Sequence, residues 1–189
     1  FLHLAGQVLT SQSFTIFAVV TDQSTTNAHR EVFSNWNGSA GNSVTSLFLG
    51  MTGSDTVRLS DEFSGVGHIT RRAEPFLLSG SNGTAGVAVQ QNRTELATRG
   101  QALGQRNLKT NYVIGQQGNI DGEFWHGDIA ELLVYDRELK DAERLIVTRH
   151  LAQKYNLSQT TSPQRSPQVL ALASLCHVLL NTNEFVYVD

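Results

Sequence analysis

Short apolar runs, parted by turns rich in glycine and asparagine, fill the chain as far as Tyr135 and leave it little room for anything but β-structure. From Phe14 to Val20 the run FTIFAVV is β-branched and aromatic and is closed by Thr21 and Asp22, which is how a strand buried on both faces reads. Similar runs follow at Glu31 to Trp36, Val44 to Met51, Thr56 to Leu59, Phe76 to Leu78, Gly86 to Gln91, Tyr112 to Gly115 and Asp128 to Tyr135. Between them stand Asn37-Gly38, Gly41-Asn42, Gly53 to Asp55, Asn82-Gly83, Gly118-Asn119 and Asp121-Gly122, dipeptides and clusters that turn a chain sharply. With no helical pattern between the runs, the expected architecture is all-β, an antiparallel two-sheet sandwich. A length of 189 residues suits one such core and is too short for two full-sized ones.

One segment breaks the rhythm. In Asp136 to Leu157 the residues Leu145, Ile146, Arg149, Leu151, Ala152 and Tyr155 recur at mixed three and four spacing, predicting an amphipathic helix from about Asp141 to Tyr155 that packs on the sandwich. Asp141 is the expected N-cap, and Asn156 the expected left-handed terminator. Residues 158–168, SQTTSPQRSPQ, are polar, hold two of the three prolines and read as a linker. Residues 169–189 follow, with a helix from about Val169 to Leu180 that is apolar nearly all round. Such a helix must be covered on every side, so its partner is expected in another domain. The chain opens at Phe1 in patterned sequence with neither Met nor signal peptide, so a piece of a longer protein is expected.

Composition removes several function classes. Charged residues make up 16% of the chain and the net charge is -3, with no run of Lys or Arg; nothing here attracts a nucleic-acid backbone or an anionic membrane surface. No apolar stretch reaches the roughly 18 residues of a membrane span. The single Cys176 excludes an internal disulfide framework and any cysteine-based zinc site. The six histidines have no metal-ligand spacing.

Two stretches, FTIFAVVTD near the start and GQQGNIDGEFWHGDIAELLVYDRELKDAERLIVTRHLAQKY later, together resemble the laminin-G-like, concanavalin A-like jelly-roll module of bacterial surface proteins. The resemblance covers residues 1–157, and its most specific part is Gly127-Asp128-Ile129-Ala130-Glu131, then Tyr135-Asp136-Arg137, then the Asp-Ala-Glu-Arg helix start. It implies a two-sheet jelly roll, a carbohydrate-binding or adhesive role without chemistry of its own, and an extracytoplasmic place at the periplasm or cell surface. The tail LASLCHVLLNTNEFVYVD resembles the closing segment of a C-terminal domain of unknown function in cytochrome-containing planctomycete proteins. Only that closing segment is present, which implies other domains of a parent protein as partners.

Candidate site residues follow from chemistry. Sugar recognition pairs an aromatic ring with amide or carboxylate groups, and the only two tryptophans each sit beside polar turn residues. Trp36 with Asn37, and Trp125 with His126, are therefore the expected lining of a shallow glycan groove; the plainer expectation, that both rings only pack the core, stands beside it. A calcium ion at the rim is the one cofactor these residues could hold, with Asp22, Asn119 and Asp121 as candidate ligands. Asp128 and Glu131 are expected to pin the last strand, taking hydrogen bonds from loop amides or from Arg137 or Arg144. A glycoside hydrolase would need two carboxylates roughly 5 to 9 Å apart across a groove, and the only acidic i, i+2 pair, Asp121 and Glu123, falls in a glycine-rich turn. The expectation is a non-enzymatic module binding a glycan or other surface ligand. A structural spacer that docks its parent's domains is the rival.

Overall fold

The computed structural model describes residues 1–36, 45–70, 72–109, 111–118 and 122–157. Eleven strands appear among them: β1 Leu2–Leu4, β2 Phe14–Val20, β3 Arg30–Ser34, β4 Phe48–Met51, β5 Val57–Ser60, β6 Phe63–Val66, β7 Phe76–Gly83, β8 Gly86–Gln91, β9 Thr94–Arg99, β10 Tyr112–Ile114 and β11 Ile129–Tyr135. One helix, α1, spans Asp141–Lys154. The strands form a six-stranded sheet in the order β1-β10-β3-β4-β5-β6 and a five-stranded sheet in the order β11-β2-β7-β8-β9. Every pairing is antiparallel. The all-β, two-sheet jelly-roll sandwich with a C-terminal amphipathic helix is thus the architecture observed.

Alternation decides what goes inside. In β2 the side chains of Phe14, Ile16, Ala18 and Val20 meet Val32, Leu49, Met51, Val57 and Leu59 of the facing sheet in the main core. Between them Phe17 and Val19 point the other way and join Leu77, Leu139, Leu151, Ala152 and Leu157 in a second apolar cluster under α1. That is why FTIFAVV is apolar on both faces: one side lies against the other sheet and the other lies against the helix. Gly80 of β7 faces Leu59 and Leu49 across the core, and an added Cβ there would lie 2.5 Å from Leu59 Cδ1.

The helix begins at Asp141 as expected, but its N-cap lies one residue earlier than expected. Lys140 occupies the boundary position, and its N–H donates to Glu143 Oε2 (2.9 Å). Asp141 is the first helical residue, and with Glu143 it puts negative charge in the turn whose free N–H groups favour it. The end falls where the sequence places it, at Asn156 with φ +48°. The apolar stripe is narrower than its spacing predicts: Ile146 is 66% exposed and Arg149 is exposed. Among the described residues no helix is long and apolar enough to cross a membrane. The expected linker and tail, 158–189, lie outside the described residues.

Candidate ligand-binding face

The outer face of the six-stranded sheet carries a buried polar network. Cross-strand pairing sets His3, Val113, Ser34 and Phe48 in one row, and Glu31, Gly50, Arg58 and Ser64 in the next. These residues alternate with the core-facing Leu49, Met51 and Val57 and therefore point outward. Yet Glu31, Ser34, Phe48 and Arg58 are buried, because the connection between β10 and β11 folds over them. Ser34 Oγ donates to Gln116 O (2.9 Å) and accepts from Gly118 N (2.7 Å), while Glu31 N donates to Glu123 O (3.1 Å).

Arg58 is the hub. Its guanidinium lies 3.9 Å from the centre of the Phe48 ring, a cation–π contact. Nη1 donates to Glu31 Oε1 and to Glu123 Oε2, both at 2.9 Å, and Nη2 donates to Asp61 Oδ1 at 2.8 Å. Gly50 makes room for this: an added Cβ would run into the Glu31 carboxylate and the Arg30 carbonyl. Burial pushes the Glu31 carboxyl well above its ordinary range, and the attraction of Arg58 opposes this without cancelling it. Glu123 and Asp61 are partly exposed, at 25% and 29%, so water reaches them as it does not reach Glu31. Three buried atoms on or beside this face have no hydrogen-bond partner among the described residues: Glu31 Oε2, Arg58 Nε and Trp36 Nε1. Each such orphan costs about 1–3 kcal/mol where no water meets it.

No family model and no curated protein matches the chain. Solved structures do. The CBM40 carbohydrate-binding module of Ruminococcus gnavus IT-sialidase superposes with a TM-score of 0.59 at 19% identity, over 78% of this chain and 94% of that one. The same figures hold for that module bound to α2,3-sialyllactose. Its fold is like that of the CBM40 module. Trypanosoma rangeli sialidase in complex with 2,3-difluorosialic acid matches over 78% of this chain but only 24% of that one, at 16% identity and a TM-score of 0.54. At these identities the likeness establishes the jelly-roll sandwich.

Within this CBM40-like frame the expected site residues separate. Trp36 follows β3 beside the candidate face, half-buried, with Gly118 packed against its backbone. Trp125 belongs to the main core, 8% exposed, and its Nε1 donates to Thr21 O (2.9 Å). It offers no open ring face, which corrects the expectation that it lines a groove. His126 is exposed, and its carbonyl accepts from Gln23 N (2.6 Å). Asn37 lies outside the described residues.

The calcium expectation fails at Asp22. This carboxylate is fully buried and taken up by cations: Arg30 Nη2 at 2.7 Å and Arg72 Nη1 at 3.1 Å, with Ser24 N at 3.0 Å. Arg30 also pairs with Asp55 (2.6 Å), so the cluster closes one end of the sandwich with guanidinium in the role expected of a metal. Asn119 and Asp121 lie outside the described residues. Asp128 Oδ2 accepts from Thr21 Oγ1 (3.1 Å), as a strand-pinning acid should. Glu131 takes Lys154 (3.0 Å) rather than Arg137 or Arg144. Asp136 holds Thr10 N (2.8 Å) and Ser11 N (2.7 Å), and Arg137 pairs with Glu143. The acidic and basic positions of the Gly127–Arg137 motif thus act as fasteners.

Local spacing also missed an acid pair. Glu31 and Glu123 each place an oxygen 2.9 Å from the same Arg58 nitrogen, so these oxygens are at most twice that distance apart. The guanidinium fills the space between them, where a glycosidic oxygen would have to sit. The arrangement fits binding rather than acid and base chemistry.

Proposed function

We propose that this chain supplies a non-catalytic carbohydrate-binding module, residues 1–157, to a larger extracytoplasmic protein, and that it holds sugar at the outer face of the six-stranded sheet. Residues 158–168 are then the linker and 169–189 the end of a neighbouring domain. The observation that carries the reading is the rim of this face, where the half-buried Trp36 and the partly exposed carboxylates of Glu123 and Asp61 stand beside the buried Arg58 network. Sugar hydroxyls both donate and accept, so they match such a mixture. The solved neighbours support the class, since the Ruminococcus gnavus module is recorded with α2,3- and with α2,6-sialyllactose. The local charge argues for neutral sugars here: Arg58 is already shared by Glu31, Glu123 and Asp61, which leaves no uncompensated cation for a ligand carboxylate.

The test is a glycan array containing neutral and sialylated oligosaccharides, followed by calorimetric titration of any hit. Trp36→Ala and Glu123→Gln are expected to weaken binding about tenfold, or ~1.4 kcal/mol, with the unfolding midpoint little changed. An array without hits would favour the spacer that docks its parent's domains.

A further inference from the structure

We infer a second saccharide site in the groove at the end of the sandwich where the connection from β9 to β10 meets the segment between β1 and β2. The inference rests on the reading of the module as a glycan binder, but on different residues. The groove has a volume of about 430 Å³. Its wall is fixed by a side chain standing in for a strand partner: the Gln12 carboxamide donates to Arg106 O (2.9 Å) and accepts from Arg106 N (2.6 Å). Arg106 itself is spent inward. Its buried guanidinium pairs with Glu62 and donates to Gly104 O (2.8 Å) and Ser46 O (3.2 Å).

What faces the groove is therefore mostly carboxamide, with the exposed Lys109 as a cationic side chain at its edge. Gln105 makes no side-chain hydrogen bond among the described residues, Asn107 uses only its oxygen, toward Lys109 N (3.3 Å), and Gln7 uses only its nitrogen, toward Leu9 O (2.7 Å). A carboxamide presents a donor and an acceptor side by side, which suits two adjacent hydroxyls of one sugar ring. No carboxylate and no aromatic ring lines the groove, so the grip falls on hydroxyl edges rather than on the pyranose face. Affinity should be weak, on the order of millimolar.

The experiment is a titration of the whole chain, followed by nitrogen-15 correlation NMR, with maltotriose, cellotriose and 3′-sialyllactose in turn. Expected are saturable shifts of the Gln105 and Asn107 side-chain amide signals with at least one of the three sugars. The double variant Gln7→Ala, Gln105→Ala should weaken that binding about fivefold, the loss of roughly one hydrogen bond, with the Arg106 amide signal unmoved as proof of an intact wall. Groove signals that stay still with all three sugars, or binding that is unaffected in the double variant, would overturn the second site. Shifts at Trp36 and Glu123 with a silent groove would overturn it alone; silence at both places would take the glycan reading with it.

Discussion

The two sheets turn opposite kinds of surface away from their common core. Behind the five-stranded sheet, Phe17, Val19 and Leu77 meet Leu139, Leu151 and Ala152, an apolar contact closed by α1. Behind the six-stranded sheet, Glu31, Ser34 and Arg58 are just as buried but are closed by a loop, through hydrogen bonds to Ser34 and the Arg58–Glu123 ion pair. The first face is held by burial of area, which is non-directional and asks little of side-chain orientation. The second depends on geometry and leaves Glu31 Oε2 and Arg58 Nε unmatched, as the first leaves Arg144 Nε. The two faces therefore answer to different physics, burial of area behind one sheet and directional bonds behind the other.

The contrast is broken most severely at Arg58. Arg58→Met keeps much of the side-chain volume but strands Glu31, which is wholly buried, and removal of one partner from a buried pair costs about 4 kcal/mol. Glu123 and Asp61 can turn to water. Urea unfolding should show that loss; a loss below about 1 kcal/mol would mean that the network does not hold the loop. On the other face, Leu151→Ala removes a side chain that is 1% exposed and should cost about 3 kcal/mol. Calorimetric titration should find sugar affinity unchanged in Leu151→Ala. If affinity fell with stability, the two faces would be coupled and the division of labour would be wrong.

The sequence made one face far more legible than the other. FTIFAVV announces β2 with its true ends because both of its faces are apolar, and the helix with its Asn156 stop is readable from periodicity and one backbone preference. The strands that pattern reading missed are β1, β6 and β9, and each lies at the edge of its sheet. An edge strand has one neighbour and less to bury, so a stretch such as Thr94–Arg99, TELATR, lacks the apolar run that marks a central strand. The candidate face was illegible for a different reason. Its hub joins Glu31, Arg58, Asp61 and Glu123, brought together by strand order, and no local spacing rule connects Glu31 to Glu123. Asp22 shows the same limit: its oxygens suggested a metal, while the arginines that occupy them arrive from β3 and from the segment before β7.

The smallest effect is also the sharpest, because it has a sign that the other carboxylates do not share. Glu62, Glu131, Asp136 and Glu143 are held below their ordinary values by donors or cations, Glu143 at about 2 through Arg137. What they contribute to stability is present above the unfolded-state pKa and lost as pH falls through the folded one. Glu31 runs the other way. Burial raises its folded-state pKa well above the ordinary 4.5, so the folded chain holds a proton that the unfolded chain has released. The stabilisation from Glu31 is therefore complete below pH 4.5 and is lost as pH rises through the folded value. Glu31→Gln keeps the shape and a hydrogen-bonding oxygen for Arg58 while removing the titration. Measured by urea unfolding at a series of pH values, the variant should gain on the wild type steadily from acid to neutral pH, by about 1 kcal/mol or more. A difference that stays flat over that range would mean that Glu31 ionises in the fold as it does in water, and that the face behind the six-stranded sheet is wetter than its burial implies.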